Sequence, residues 1–297
     1  MQNRSAWSKL GLFVATLIWG SSFFIMKNSV DVFPTFLLLS IRFTIGFGLL
    51  CVAYCHRLKR ITLKTLLRGC LLGVLVFLAH TLQTLGLIDT TPGKNAFLTA
   101  VYCILVPFLF WMVTKKRPDI YNYLAGVLCL AGIGLVSLTG DLSMGRGDVL
   151  TLAGGVLFAG HIVAVAKVSS DEDPVLMTLL QFGVAALCCW ILALGTETFP
   201  ASVPPSAWYG MIYLAVFSTT IGFLLQNIGQ KYTHPAAASI ILSLEAVFGV
   251  VFSILFYGEV LTPKLVAGFI LIFVAILISE TKLSFLKHLP KKVDVQI

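Results

Sequence analysis

Two ionisable side chains each interrupt a long apolar stretch of the sequence. Glu245 lies about halfway along the apolar run 235–257, and Arg42 lies near the middle of the run 34–54. An isolated carboxylate in hydrocarbon costs at least ~2.5 kcal/mol, so Glu245 requires a polar cavity, a charged partner or a proton. It could therefore carry a proton or bind a cationic group, or it could be a protonated or helix-capping structural side chain.

Arg42 remains charged at any physiological pH, so burial cannot neutralise it. Three roles fit such a side chain. It could bind a substrate carboxylate through two parallel hydrogen bonds, form a fixed ion pair with Glu245, or extend its guanidinium to the membrane surface. A permanent pair with Arg42 would keep Glu245 ionised and would exclude it from proton transfer.

Further polar and aromatic side chains occur in other apolar runs. Trp19, Ser21 and Ser22 lie in the second half of the run 10–26, where a tryptophan could belong to an interfacial belt or could line a cavity with the adjacent hydroxyls. His161 could be hydrogen-bonded packing or a proton relay. Tyr102 could stack on a substrate or simply pack.

Two pairs of polar residues occupy similar places in two different runs. His80 and Gln83 are three residues apart, on one face of a helix, and Gln226 and Asn227 lie directly after the run 206–225. Two such polar faces could meet in a shared pocket at the middle of the membrane. The alternative is that they only make hydrogen bonds between helices.

These residues must be positioned by apolar segments long enough to cross a bilayer. A hydrocarbon core of roughly 30 Å requires about 20 helical residues, whereas barrel strands would be about 10 residues long with alternating polarity. The sequence favours helices and predicts an all-α integral membrane protein with ten transmembrane helices, at 10–26, 34–54, 66–88, 93–113, 120–139, 148–166, 174–195, 206–225, 235–257 and 263–279.

The charge distribution predicts how these helices are oriented. With the amino terminus in the cytoplasm, 16 of the 21 basic residues fall in cytoplasmic segments, Arg42 lies within a span, and four lie in outside loops: Lys27, Lys94, Arg146 and Lys264. Such an excess is typical of cytoplasmic loops. We therefore expect a multi-pass plasma (inner) membrane protein with both termini cytoplasmic and no cleavable signal peptide. The net charge of +8 then contacts acidic lipid headgroups rather than nucleic acid.

The sequence lacks the motifs of several other classes of protein. It contains no GxxxxGK[ST] phosphate-binding loop and no HExxH or GxSxG motif, so neither an ATP-driven machine nor an enzyme is expected. The seven cysteines lie in or beside apolar runs without the paired spacing of zinc sites. We expect neither catalytic residues nor a metal or cofactor.

The two halves of the sequence resemble each other. Leu82-Gln83, Gly86 and Pro92 recur at an offset of 143 in residue number as Leu225-Gln226, Gly229 and Pro235. Ala125-Gly126 recurs at an offset of 142, and Lys27 and Pro34 recur at an offset of 140 as Lys167 and Pro174. This order indicates a duplicated five-span unit, with boundaries at 1–140 and 141–297. Because five is odd, the second unit enters the membrane inverted, which is a recurring arrangement in secondary transporters.

Several short motifs recur in the order and spacing of one known family. The residues that carry the likeness are Ile18-Trp19-Gly20-Ser21-Ser22-Phe23, Arg42-Phe43, Thr91-Pro92-Gly93, Ala96-Phe97-Leu98-Thr99, His234-Pro235-Ala236-Ala237, Ser243-Leu244-Glu245, Gly258-Glu259, Leu261-Thr262 and Gly268. Over essentially its whole length, the chain resembles the EamA branch of the drug/metabolite transporter superfamily. It departs from that pattern at Ala246, where the family commonly has proline.

The resemblance implies ten helices in two inverted five-helix repeats that work by alternating access without nucleotide hydrolysis. Members similar to this chain move amino acids and other small metabolites, often outward. We therefore expect a secondary active transporter of a small polar or amphipathic metabolite, with protons as a candidate coupling ion through Glu245. The alternative is an exporter of organic cations, such as quaternary ammonium or guanidinium compounds, in which Glu245 would be the counter-ion.

Overall fold

The computed structural model describes residues 2–115, 117–138, 144–168, 172–232 and 235–282. Within these ranges the chain forms helices and no strands. The α-helices are α1 (Gln2–Val30), α2 (Thr35–Ala53), α3 (Leu63–Ile88), α4 (Pro92–Thr99), α5 (Tyr102–Thr114), α6 (Ile120–Ser137), α7 (Arg146–Val168), α8 (Pro174–Thr196), α9 (Pro205–Ile212), α10 (Gly222–Tyr232), α11 (Pro235–Phe252) and α12 (Pro263–Thr281).

The helices are long and apolar enough for a multi-pass membrane protein. Eight segments reach spanning length within the described ranges, and two shorter apolar helices follow at Ile241–Tyr257 and Pro263–Ser279. The predicted span 93–113 is interrupted, because α4 and α5 are separated at residues 100–101. Two π-helical segments, Tyr213–Ile221 and Ser253–Tyr257, continue α9 and α11. Such widened turns are uncommon and occur often at functional sites.

A short sequence signal fixes several helix starts. Thr91, Asp173 and Thr262 each accept a hydrogen bond from a backbone N–H of the first turn, and a proline follows each of them. A side-chain oxygen at this position satisfies an otherwise unpaired N–H. Proline suits the next position because it lacks a hydrogen that would have no partner there. These residues therefore fix where α4, α8 and α12 begin.

The bundle is built from a few extensive helix contacts. Helix α3 packs along α7 and α8, α1 along α10 and α11, α2 along α8, and α6 along α12. The contact of α6 with α12 requires glycine, since a Cβ on Gly132 would lie 3.0 Å from the carbonyl oxygen of Gly268, and a Cβ on Gly268 would lie 3.0 Å from that of Gly132. Small residues of this kind allow helix backbones in membranes to approach closely.

Some sequence predictions concern residues outside the described ranges. These are the boundary between 140 and 141, His234, and the part of the predicted short cytoplasmic tail that follows residue 282. The division at 1–140 and 141–297 stays a prediction. Ala246 lies in the uninterrupted part of α11 and is fully buried, so the helix continues past Glu245 and widens only at Ser253–Tyr257.

Candidate functional site

A cavity of about 730 Å³, including space that is open to solvent, lies between helices of both halves of the chain. Helices α1, α2, α3, α4 and α5 form its wall from one half, and α7, α10, α11 and the π-helical segment 213–221 form it from the other. Nine of the eleven residues predicted from the sequence line it: Trp19, Ser22, Arg42, His80, Gln83, Tyr102, His161, Gln226 and Glu245. The predicted residues thus converge from seven separate helices.

Arg42 is buried in this wall and is held by neutral hydroxyl groups. Its Nη2 donates to Ser218 Oγ at 3.1 Å, and its Nε donates to Thr219 Oγ1. None of the ion pairs in the described ranges includes Arg42. The fixed pair with Glu245 and the extension to the surface, both considered above, are therefore absent from this arrangement. The guanidinium charge remains free to bind an anionic group.

Glu245 is buried on α11 and contacts a residue at the matching position of the other half. Tyr102 Oη donates to Glu245 Oε1 at 3.0 Å, and the two residues are 143 positions apart. Both side chains line the cavity. A carboxylate held by one phenol hydroxyl retains oxygen lone pairs that can accept a proton or a cationic group.

The two predicted histidines have different surroundings. His161 Nε2 donates to Gln181 Oε1 at 2.9 Å, and both residues are buried. The His80 ring contacts the rings of Phe43, Phe158 and Phe223 at centroid distances of 5.5, 5.0 and 6.1 Å. Neither ring nitrogen of His80 has a hydrogen-bond partner of normal geometry, although the Gln83 side chain lies close by. His161 is therefore anchored, whereas His80 has unused hydrogen-bonding capacity.

Trp19 and Ser22 belong to the cavity wall. Trp19 Nε1 donates to the carbonyl oxygen of Ser218 at 2.9 Å, and its ring packs edge-on against Phe223 at 5.6 Å. This places Trp19 between α1 and the π-helical segment rather than in an interfacial belt. Ser22 Oγ donates to the Trp19 carbonyl at 2.7 Å.

Two predicted residues do not line the cavity. Ser21 Oγ donates to the Ile18 carbonyl at 2.9 Å and shares a hydrogen bond with Tyr213 Oη at 2.6 Å. Asn227 Nδ2 donates to Thr178 Oγ1. Both make contacts between or within helices, which is the alternative that the sequence left open for polar residues of this kind.

Several cavity residues were missed by the sequence interpretation. Asn95 and Thr99 on α4, Thr84 on α3 and Ser218 all line the cavity. Asn95 and Thr99 lie within or beside the quoted motifs that open the fourth span, and Thr84 directly follows Gln83. Their proximity to predicted residues was the available signal, but a hydroxyl in an apolar run usually satisfies itself on the backbone of its own helix.

A second buried carboxylate lies apart from the cavity, where α4 begins. Glu259 Oε2 accepts from the Gly93 backbone N–H at 3.0 Å and from Ser253 Oγ, and its Oε1 accepts from Thr91 Oγ1. Close by, Lys94 Nζ forms an ion pair with Asp148 at 2.7 Å. These contacts join helices of the two halves. They leave Glu259 without a role in lining the cavity.

The residues capable of holding a metal ion are scattered. No group of three or more His, Cys, Asp or Glu side chains suited to a metal occurs among the residues that were placed. All seven cysteines are free thiols. The cavity can therefore act chemically through hydrogen bonds, through one cation and one carboxylate, and through its aromatic surface.

Comparison with known proteins gives consistent results. An uncharacterized transporter of Archaeoglobus fulgidus is 32% identical over 273 residues, covering 92% of this chain and 85% of that protein. The uncharacterized inner membrane transporter YedA of Escherichia coli K12 is 25% identical, with 92% and 91% covered. A solved crystal structure that is 18% identical in sequence superimposes with a TM-score of 0.69. The superposition covers 95% of this chain and 99% of the other, so the two share the same fold.

The model of the EamA-like transporter family matches the chain twice, over residues 6–138 and 145–281. The two matches account for nearly the whole chain and place one copy in each half. The relatives named above are called transporters, which fits a protein that is not an enzyme. This chain is a multi-pass membrane protein and belongs to the EamA-like transporter family.

Proposed function

We propose that the protein is a secondary active transporter that moves a small metabolite across the membrane by alternating access. One observation carries the proposal. A cavity is formed by helices from both of the segments that match the family. It contains an arginine without an acidic partner and a buried glutamate whose carboxylate accepts a hydrogen bond from a single phenol. A bundle that served only as a scaffold would have no need for such groups between its halves, because buried charges are costly.

The lining favours a substrate with an anionic group and an apolar part. Arg42 offers donors for a carboxylate, since Ser218 and Thr219 leave its charge uncompensated. Phe23, Met26 and Phe158 also line the cavity and provide apolar surface. An amino acid with an apolar side chain, or a similar amphipathic compound, combines these features. Export is the direction that we propose, following the resemblance to the family.

The helix contacts support ten spans in two inverted repeats. If α1–α6 as a group correspond to α7–α12, with α3 matching α9 and α10, and with α4 and α5 matching α11, then α2 with α8 and α6 with α12 are counterparts that pack on each other. In the same correspondence α10 matches α3, and α1 matches α7. The contact of α3 with α7 therefore has a counterpart in the contact of α10 with α1, and both contacts occur. Each repeat would contain five spans, one built from α4 and α5 and its counterpart from α11 and the π-helical turn after it.

Orientation and compartment follow from charge. The excess of basic residues at one side supports cytoplasmic termini, and YedA, a relative over most of both chains, is named as an inner membrane protein. The plasma membrane with both termini inside is therefore part of the proposal.

Proton coupling through Glu245 can be tested in proteoliposomes. We expect a pH gradient to drive uptake of a member of an amino-acid panel by the purified protein, and we expect Glu245→Gln to abolish the gradient-driven part. Glu172→Gln is the matched control. The Glu172 carboxylate does not line the cavity, and it forms an ion pair with Arg68 at a distance of 2.8 Å. Unchanged gradient-driven uptake in Glu245→Gln would contradict the coupling role. Absence of uptake for every compound in a wide metabolite panel would contradict transport itself.

A second candidate function, export of organic cations, rests on the same carboxylate. Glu245 lies in a cavity with Trp19, Phe158 and Phe223, and aromatic faces attract cations. Arg42 in the same cavity opposes a cationic substrate. Cells lacking the protein would become sensitive to lipophilic cations under this hypothesis, and to amino-acid analogues under the first.

A further inference from the structure

Three buried polar side chains of the cavity lining have atoms without hydrogen-bond partners. The unpaired atoms are the two ring nitrogens of His80, Oγ1 of Thr84 and Oδ1 of Asn95. The side chains are 6%, 1% and 0% exposed, respectively. Buried polar atoms are nearly always paired in native proteins, and an exception calls for a physical explanation. A ligand that supplies the missing partners is one such explanation, because all three side chains line one cavity.

The hydrogen bonds of Asn95 determine what its free atom can accept. Asn95 Nδ2 donates to the Gln83 carbonyl at 3.2 Å and to Thr151 Oγ1 at 2.7 Å. Thr151 uses its own hydrogen on the Gly147 carbonyl at 2.7 Å, so it can only accept from Asn95. Turning the amide over would place two oxygen atoms against each other at Gln83. Oδ1 is therefore fixed as an acceptor that requires a donor.

Thr84 and His80 extend this polar surface along α3. They are four residues apart and so lie on one face of the helix. A threonine inside a helix usually donates to the carbonyl four residues earlier, but Thr84 Oγ1 makes no hydrogen bond in the described structure. Its hydroxyl can therefore accept from a ligand as well as donate to one.

We propose that Asn95 and Thr84 form a subsite that recognises a hydrogen-bond donor on the substrate, an ammonium or hydroxyl group, while Arg42 binds its carboxylate. This inference rests on the proposed transport of small amphipathic metabolites and names the second polar group that the substrate carries. The subsite favours an α-amino or α-hydroxy acid over the same acid without that substituent. Neither Asn95 nor Thr84 was predicted from the sequence.

The test compares three compounds that differ in one substituent. L-leucine, 2-hydroxy-4-methylpentanoate and 4-methylpentanoate share a carboxylate and an apolar chain, but the last has no donor. Binding to the purified full-length protein is measured by calorimetry in detergent. We expect the wild-type protein to bind the first two at least about tenfold more tightly than the third, because only they form a hydrogen bond with the buried atoms that otherwise have no partner.

Variants assign this preference to the subsite. Thr84→Val and Asn95→Leu should each reduce or abolish the tenfold preference for the two compounds that carry a donor. Thr81→Val is the matched control, since Thr81 Oγ1 is also buried and unpaired on α3 but does not line the cavity. Thr84→Val changes the shape of the side chain little, so it serves even if Asn95→Leu does not fold.

The outcomes separate the two proposals. If the wild-type protein binds all three compounds equally, or if the preference survives in Thr84→Val, the subsite is wrong while the carboxylate site of Arg42 stands. If Arg42→Gln binds all three as tightly as the wild-type protein does, the carboxylate site is wrong instead. If the wild-type protein binds none of them, both the subsite and the proposed substrate class are overturned.

Discussion

His80 and Phe223 occupy matching positions of the two halves, at the offset of 143 noted above, and both line the cavity. At the next matching pair, Gln83 and Gln226, the side chains are identical. Arg42 has Phe182 as its counterpart at the offset of 140, and Phe182 is fully buried in an apolar cluster. Matching positions of the two halves therefore supply different chemistry to the protein.

These differences between matching side chains indicate which features recur in both halves and which do not. The left-handed residues Lys115 and Gly258 stand at matching positions, each at the end of a helical segment, so a backbone feature recurs there although the side chains differ. The matching positions that face the cavity differ in chemistry as well. The substrate proposed above is not symmetric, so different groups at matching positions of the cavity suit a single orientation of binding.

The largest expected effect is a loss of substrate binding at Arg42, and a substitution of its counterpart Phe182 provides the comparison. Arg42→Gln should weaken binding of a carboxylate substrate about 10- to 100-fold, since hydrogen bonds to charged groups contribute roughly 1.5–3 kcal/mol. Phe182→Leu should lower the melting temperature with little change in substrate preference. Uptake kinetics and thermal melts of both variants check this. Equal loss of binding in both variants would mean that the asymmetry at this pair has no role in recognition.

The contact of α6 with α12 tests the shared packing. Gly132→Ala and Gly268→Ala each place a methyl group against the facing backbone, so both should destabilise the protein by about 1–3 kcal/mol. Gly134→Ala is the matched control on α6, because the nearest atom would lie at an ordinary 3.5 Å. Thermal unfolding in detergent measures all three. A drop as large in the control would show that the close approach is not the cause.

Tyr102→Phe removes the one hydrogen bond that links the matching pair Tyr102 and Glu245. The loss of one such bond corresponds to about 1 kcal/mol, or roughly a fivefold change. We expect a fall of that size in gradient-driven uptake, with the folded protein retained, because the ring still packs. Uptake by Tyr102→Phe and by the wild-type protein under the same gradient provides the comparison. Full activity would indicate that Glu245 functions without its phenol partner.

The smallest effect concerns the starts of α6 and α12. Asp119 caps α6 and Thr262 caps α12, each through the third backbone N–H of its helix. Only Asp119 carries a charge, and its carboxylate pairs with Lys282 at 2.5 Å. Partial burial acts to raise the pKa of Asp119, but the hydrogen bonds from Lys282 and from the Asn122 backbone outweigh it and lower the pKa below its ordinary value of 3.8.

A lowered pKa means that this stabilisation is present above pH 3.8 and is lost as the pH falls through the folded-state value. Asp119→Thr copies the cap of α12 and removes the ion pair, which is largely exposed, so the expected loss is below about 1 kcal/mol. Melting curves of the variant and the wild-type protein should converge toward low pH. Curves that stay parallel over the whole acid range would contradict the ion pair as the source.

Much of the fold could be predicted because a helix that crosses the hydrocarbon core of a bilayer must be long and apolar. The long apolar runs match the observed helices closely, and the charged residues within them led to the cavity. The break between α4 and α5 left no signal, since Ala100 and Val101 are as apolar as their neighbours. The π-helical turns at 213–221 and 253–257 depend on packing between helices and are likewise invisible in the sequence.

The site was predicted where polarity was conspicuous and missed where it was ordinary. Arg42, Glu245 and the histidines stand out in apolar runs, whereas Thr84 and Ser218 resemble the many hydroxyls that bond to their own helix. Asn95 was not singled out, although it lies between the motifs Thr91-Pro92-Gly93 and Ala96-Phe97-Leu98-Thr99. Ser21 and Asn227 lie outside the cavity lining although they adjoin the lining residues Ser22 and Gln226, since adjacent positions on a helix face different directions.

The contact between Tyr102 and Glu245 joins two positions that the proposed repeat makes equivalent. Points that a twofold rotation exchanges, and that nevertheless touch, lie beside the rotation axis and are displaced least when the halves swap conformations. In such a swap the acid would stay nearly stationary while the openings on either side of it alternate. A proton could then be taken up from one compartment and released to the other without the carboxylate itself having to travel.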